Sequence, residues 1–305
     1  MWDQLLTNLQ RSDVKALARS ISLVEAEHTG YEAFLQALPY NSNTKIIGIT
    51  GPPGAGKSTL VDALIGEMAA DEKRVAVLCV DPSSPFNLGA VLGDRIRMSG
   101  WYIHPNVFIR SLATRGSMGG LHPKAIEITD VVKAAGYDYI IVETVGVGQT
   151  EIEIAGLADI TLVVLVPEGG DEVQTMKAGL MEIADVFIVN KADRPGADAF
   201  VKALRQMLAP AFHQHKEEVE IIKTTAATKT GMDVLFKTIK NRLAQNLTSE
   251  RKTWLLAERA YQLIQQRRMK GISKKSLQEE ISRMQTMPSF NLYRFIEQVS
   301  NGLPQ

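Results

Sequence analysis

The sequence predicts an α/β fold with a doubly wound, mostly parallel sheet, and three observations support this class. Short apolar runs alternate with longer amphipathic stretches from Lys45 to about Leu243. The runs are rich in Val and Ile and apolar on both faces, which is typical of parallel strands covered by helices on each side. Outside this region, apolar residues recur at helical spacing. The predicted strands are Lys45–Thr50, Val75–Val80, Val107–Ile109, Tyr139–Glu143, Ile160–Val166, Val186–Asn190 and Val219–Lys223.

Helical patterns flank the predicted sheet at both ends. An amphipathic spacing begins at Leu5 and continues to Leu38, and Pro39 indicates a linker. The last part of the chain returns to helical spacing with many charged residues. We therefore predict three parts, which are an N-terminal helical region over 1–43, a sheet-containing domain over 44–245 and a C-terminal helical arm over 246–305.

Charge and composition argue against several classes of partner, although a local basic patch would still be compatible with them. The 305 residues include 34 basic and 34 acidic side chains, so no net field attracts nucleic acid or anionic lipid. No run approaches the roughly 18 apolar residues that a membrane-spanning helix requires. The single cysteine, Cys79, lies in an apolar run and is expected to be a small core residue. We expect a cytoplasmic protein that binds neither nucleic acid nor a membrane.

The strongest motif is a phosphate-binding loop that matches G-x-x-x-x-G-K-[ST] and predicts a P-loop NTPase. A predicted strand precedes it and the helix-forming stretch Leu60–Ala70 follows it. Its glycines let backbone N–H groups surround phosphate oxygens, and the helix directs its positive end at them. Lys57 is expected to reach the β- and γ-phosphates, and the Ser58 hydroxyl to bind Mg²⁺. The loop residues are Gly51, Pro52, Pro53, Gly54, Ala55, Gly56, Lys57, Ser58 and Thr59.

A second motif, N-K-x-D, follows the apolar run at Val186 and predicts that the base is guanine. The Asp193 carboxylate can accept hydrogen bonds from the ring N–H and the exocyclic amine of guanine, a donor pair that adenine lacks. Lys191 would lie against the base, and Asn190 would connect neighbouring loops. A later stretch is similar to the second guanine-contacting loop of GTPases, with Thr in place of the usual Ser. Its residues are Thr225, Ala226 and Ala227, and the expected ligands are GTP and GDP.

Three carboxylates are candidates for the magnesium side of the site. Glu143 occupies the Asp position of the pattern D-x-x-G at the end of a predicted strand, where a buried charge needs a compensating cation. Asp81 also ends a predicted strand, although it could instead cap a helix. Asp94 begins the stretch Asp94–Arg97 and could instead form a surface ion pair. Ser58 and these carboxylates form the predicted metal set, and Lys57, Glu143 and Asp94 the predicted catalytic set.

The residue that follows this pattern is Val147, where Ras-like GTPases have a glutamine that orients the attacking water. A valine side chain cannot position water by hydrogen bonding. We therefore expect slow hydrolysis without a partner.

Several segments together resemble the MeaB/ArgK group of P-loop GTPases. These segments are residues 143–193, VDPSSPF (80–86), GDRIRM (93–98) and ATRGSMGGL (113–121). The resemblance implies a chaperone of an adenosylcobalamin-dependent acyl-CoA mutase, chiefly methylmalonyl-CoA mutase. It also implies a homodimer formed through the C-terminal arm. By position, the family's charged nucleotide-site residues correspond to Lys57, Asp81, Asp94 and Glu143.

The resemblance further implies a third switch near Glu168–Lys177. Gln174 and Lys177 would sense the partner mutase there. The family usually has Gly at the position of Glu168, so the local charge differs in this chain.

Three functions are compatible with these motifs. The leading hypothesis is a GTPase that gates cobalamin loading and protects a B12-dependent mutase. A kinase that acts on a transport-binding protein is the second, although no separate motif supplies a base for a substrate hydroxyl. The third is a nucleotide-gated scaffold in which hydrolysis is incidental.

Overall fold

The computed structural model describes most of the chain, and the account below is confined to those residues. They are residues 1–39, 41, 43–81, 98–114, 121–146, 151–168, 183–212, 219–245, 250–269, 272–285 and 290–301. The described residues form two compact units, Met1–Leu247 and Thr248–Gln305.

A seven-stranded, wholly parallel sheet runs through the described part of the first unit, which confirms the predicted fold class. The strand order is β3-β2-β4-β1-β5-β6-β7. Because β1 lies between β4 and β5, the loop that follows β1 is central at the carboxyl edge of the sheet, where open α/β sheets bind ligands. The strands are β1 Lys45–Thr50, β2 Val75–Asp81, β3 Val107–Ala113, β4 Tyr139–Glu143, β5 Ile160–Leu165, β6 Val186–Val189 and β7 Glu220–Lys223.

Helices cover both faces of the sheet. Neighbouring residues of β1 enter opposite cores, since Ile46 belongs to one hydrophobic cluster and Ile47 to the other. Side chains alternate between the two faces of a strand, so a strand that is apolar throughout requires cover on each side. The helices of the first unit are α1 Trp2–Gln10, α2 Val14–Glu25, α3 Tyr31–Gln36, α4 Lys57–Ala70, α5 Ala125–Ala134, α6 Glu151–Leu157, α7 Ala197–Phe212 and α8 Met232–Ala244.

The strand β3 is four residues longer than the run that the sequence predicts. The apolar run stops at Ile109, but Arg110 and Ser111 continue the strand. Arg110 remains hydrogen-bonded there because its guanidinium donates to Glu25 of α2 over 2.6 Å. The apolar pattern therefore predicted too short a strand, because Arg110 is polar and its contact with Glu25 is not visible in the sequence.

The N-terminal helices pack on the same core as the sheet. Leu9, Leu17 and Ile21 are fully buried in one of the two hydrophobic clusters. Asp13 caps α2, since its carboxylate accepts a hydrogen bond from the Ala16 N–H over 2.6 Å. The burial of these leucines and isoleucine explains the amphipathic spacing of the first 40 residues.

The described residues of the second unit form helices with large exposed apolar side chains. Leu256, Tyr261 and Ile264 of the first helix are each more than half exposed. A Ser273–Ser276 capping box starts the second helix. None of the described helices is both long and apolar enough to span a membrane. The helices are α9 Glu250–Arg268, α10 Lys274–Met284 and α11 Leu292–Asn301.

Candidate functional site: the loop after the first strand

The predicted phosphate loop connects β1 to α4 and depends on glycine geometry. Gly51, Gly54 and Gly56 have φ angles of 136°, 79° and 86°, a region that residues with a Cβ rarely adopt. A Cβ on Gly51 would lie 2.1 Å from the Val164 carbonyl oxygen, and one on Gly56 would lie 2.5 Å from Asn190 Nδ2. The glycines therefore give the backbone both its turn and its close contact with neighbouring strands.

Lys57 is buried at the start of α4 with its ammonium inside the loop. Its Nζ donates to the carbonyl oxygens of Gly51 over 2.9 Å and Pro52 over 3.1 Å. These two contacts place a positive charge beside the backbone that the sequence predicts will surround the phosphates. Within the same loop Ala55 is buried, Thr59 is half-buried and Pro53 is exposed.

Ser58 and Glu143 meet beneath this loop although they are 85 residues apart in the chain. The Ser58 hydroxyl donates to Glu143 Oε1 over 2.7 Å, and the two residues are 6% and 3% exposed. A hydroxyl and a carboxylate are oxygen donors of the kind that Mg²⁺ prefers. A buried carboxylate is also stabilised by a cation. The pair therefore fits one side of a magnesium site.

Asp81 is the second described carboxylate at this edge. It ends β2 and is 5% exposed, and Cys79 of β2 lies in register with Glu143 of β4. Asp94, the third predicted carboxylate, lies outside the described residues. Within the part of the chain that the structure describes, no three acidic, histidine or cysteine side chains form a metal-binding group.

The loop after β4 packs directly on the phosphate loop. A Cβ on Gly146 would lie 2.1 Å from the Gly51 oxygen and 2.5 Å from Lys57 Nζ, so only glycine fits at φ 83°. The Thr144 hydroxyl donates to the Thr50 hydroxyl over 2.9 Å, which joins the ends of β4 and β1. Sequence reasoning missed this threonine pair, because a Thr at a strand end has no distinctive pattern. Val147, the residue after Gly146, is not among the described residues.

Asn190 connects three loops at the ends of β1, β6 and β7. Its amide nitrogen donates to the Ala55 oxygen over 2.9 Å. Its amide oxygen accepts hydrogen bonds from the Thr224 hydroxyl over 3.2 Å and from the Ala226 N–H over 3.1 Å. The N-K-x-D motif, the phosphate loop and the loop that begins at Thr225 are thus joined through one buried side chain. Thr224 was not selected from the sequence.

Lys191 and Asp193 have contrasting surroundings. Lys191 has a φ of 56°, and its ammonium donates to the Gly54 carbonyl over 2.8 Å. Asp193 is exposed, and among the described residues its carboxylate forms no hydrogen bond or ion pair. Ala227 is also exposed on the adjoining loop. An exposed carboxylate on this loop can accept hydrogen bonds from a base that presents two donors.

Comparison with known proteins shows the family of this chain. The model of the family "Methylmalonyl Co-A mutase-associated GTPase MeaB" matches residues 17–282. A relative from Pyrococcus horikoshii is 47% identical over 244 residues, which cover 78% of this chain and 76% of the relative. GTPase ArgK of Escherichia coli is 34% identical over 299 residues, which cover 94% of this chain and 87% of ArgK.

A solved structure shares the fold along almost the whole chain. The crystal structure of an LAO/AO transport system kinase is 26% identical, with a TM-score of 0.67. The match covers 98% of this chain and 96% of that one. The family match extends over both the phosphate loop and the N-K-x-D motif. The chain therefore belongs to the MeaB family of methylmalonyl Co-A mutase-associated GTPases, and it is a P-loop enzyme that binds guanine nucleotide and hydrolyses GTP.

Proposed function

We propose that this GTPase site works with Mg²⁺ and serves a B12-dependent acyl-CoA mutase. The observation that carries the metal proposal is the buried hydrogen bond between Ser58 and Glu143 beneath the phosphate loop. Ser58, Glu143 and Asp81 would hold the metal, together with Asp94 as the sequence predicts. When bound, Mg²⁺ would neutralise negative charge on the β- and γ-phosphates, whose connecting bond is broken during hydrolysis.

The protein's own residues bind and orient the nucleotide. The Lys57 ammonium would stabilise charge on the transferred phosphoryl group, since it already lies inside the loop. The backbone from Gly51 to Gly56 would surround the phosphates. Asn190 would keep the base-reading loops in register with the phosphate loop. With Val147 in the water-orienting position, the intrinsic reaction would be slow and open to stimulation by a partner.

We infer the mutase partnership from the family to which the chain belongs, whose description names methylmalonyl-CoA mutase. In this proposal, GTP hydrolysis gates adenosylcobalamin loading and protects the mutase. Gln174 and Lys177, which would sense the partner, lie outside the described residues.

Addition of the mutase should accelerate GTP hydrolysis by this protein. Gln174→Ala or Lys177→Ala should weaken that acceleration while changing basal turnover much less. By linkage, the affinity for the mutase should differ between the GTP and GDP states by on the order of 5- to 150-fold. The measurement is phosphate release with and without adenosylcobalamin-dependent methylmalonyl-CoA mutase at fixed salt, with binding followed by calorimetry.

If the mutase neither changes the turnover of GTP nor forms a complex with this protein in either nucleotide state, the mutase partnership is rejected. The protein would then be a GTPase that serves a different partner or process. Transfer of the γ-phosphate to a protein instead of to water would support the kinase alternative. A stable complex whose formation does not change turnover would support the scaffold alternative.

We propose that the C-terminal arm forms a homodimer. Leu256 and Ile264 are about two turns apart on α9, Tyr261 lies about one turn before Ile264, and the three are 55%, 54% and 59% exposed. Neighbouring exposed apolar residues on one helix indicate an interaction surface. Trp254 and Leu255 are also apolar residues of α9, and their side chains are not among those that the structure describes.

Charge on this surface should dissociate the dimer. Replacement of Leu256 and Ile264 by Glu places two like charges in an apolar interface, so light scattering should report the mass of a monomer. The matched control is Ile103→Glu in the first unit, where the isoleucine is 95% exposed, and this variant should stay dimeric. A double variant that remains dimeric would place the interface elsewhere.

A further inference from the structure

An ion pair joins the loop after β5 to the loop that carries the guanine motif. Arg194, directly after Asp193, donates through Nη1 to Oε1 of Glu168, which lies 26 residues earlier. The hydrogen bond from Arg194 keeps the pKa of Glu168 below its ordinary value, so the Glu168 carboxylate is charged at neutral pH. The side chains are 46% and 49% exposed, so the pair is accessible to salt.

This pair is one of several contacts that hold the base loop, which we define as residues 190–194. Asn190 and Lys191 attach it to the phosphate loop through the carbonyls of Ala55 and Gly54. The Ala192 N–H attaches it to the Thr224 carbonyl over 3.0 Å. Among these described contacts, the Glu168–Arg194 contact is the one between opposite full charges. Its strength should therefore respond most to ionic strength.

We propose that Glu168 and Arg194 are positioning residues for guanine binding. Their ion pair limits the motion of the base loop at Asp193, so that less conformational entropy is lost when the base binds. The inference rests on the proposed role of Asp193 in reading guanine. Coupling between two sites is reciprocal, so bound guanine also stabilises the pair, and displacement of Glu168 weakens nucleotide binding. The pair thereby couples nucleotide affinity to the position of Glu168.

The test is the release rate of a fluorescent GDP analogue from the full chain. Glu168→Gln and Arg194→Gln should each accelerate release by roughly 1.5- to 5-fold, the range expected for an exposed ion pair. Release from the wild type should accelerate more steeply with added salt than release from either variant. The charge reversal, Glu168→Arg combined with Arg194→Glu, should return the rate toward that of the wild type. A purely structural role would produce neither the salt difference nor this rescue.

The control is a second exposed pair, in which Lys223 of β7 donates to Asp198 of α7 over 2.7 Å. Asp198→Asn should release GDP at the wild-type rate. Wild-type release from both single variants, or a charge reversal that restores nothing, would overturn the proposal. If Asp193→Asn loses guanine selectivity while Glu168→Gln and Arg194→Gln have no effect on release, the positioning role of the ion pair is rejected and the assignment of Asp193 stands. Retained selectivity in Asp193→Asn would reject the base assignment and the inference with it.

Discussion

Lys57→Ala should reduce the rate of GTP hydrolysis by about 100- to 1,000-fold, the loss typical when one preorganised donor to a developing charge is removed. The Lys57 ammonium lies within the phosphate loop, where it contacts the Gly51 and Pro52 carbonyls. Alanine retains the helix start but removes the positive charge that we propose stabilises the transferred phosphoryl group. Single-turnover hydrolysis with excess enzyme measures this step separately from nucleotide binding.

The matched control for this variant is Lys223→Ala. Lys223 is also a lysine at the carboxyl edge of the sheet, but it is half exposed and paired with Asp198. Its loss should change the hydrolysis rate by less than about twofold, since surface ion pairs contribute little. Thermal melts of both variants report whether the fold is retained. Near-wild-type hydrolysis by a folded Lys57→Ala variant would show that another cation stabilises the phosphates.

Asp193→Asn should weaken GTP binding by roughly 10- to 100-fold and shift selectivity toward xanthine nucleotides. A hydrogen bond to a charged group contributes about 1.5–3 kcal/mol, which corresponds to that range of affinity. The amide of asparagine can donate to the carbonyl that xanthine has in place of the guanine amine. The Asp193 carboxylate is exposed and unpaired among the described residues, so its replacement breaks no described contact.

Calorimetry with GTP, XTP and ATP measures this change in selectivity. Asp198→Asn serves as the control, because Asp198 is an exposed carboxylate outside the base loop. Its hydrogen bond from Lys223 keeps the pKa of Asp198 below the ordinary value, so the control removes a charge at neutral pH. Equal affinity of the wild type for ATP and GTP would contradict the assignment of the N-K-x-D motif.

The local patterns in the sequence were sufficient for the fold class and for the glycine-rich turn between β1 and α4. Strands that are apolar on both faces, such as Lys45–Thr50, indicate burial between helices wherever they lie in the sheet. The spacing from Gly51 to Ser58 likewise encodes the turn and the helix start within a few residues. These features depend on conformational preferences that each short segment carries by itself.

The long-range contacts of the site were decided by the tertiary structure. Ser58 meets Glu143 because β4 lies next to β1 in the sheet. Asn190 meets Ala55, which is 135 residues away, because the parallel strands β1 and β6 both end at the carboxyl edge of the sheet. The sequence indicated that Glu143 ends a strand, but not that its carboxylate accepts the Ser58 hydroxyl. The pairing of Arg194 with Glu168 is of the same kind. A single sequence records the preferences of each residue, whereas contact between distant residues depends on which strands become neighbours.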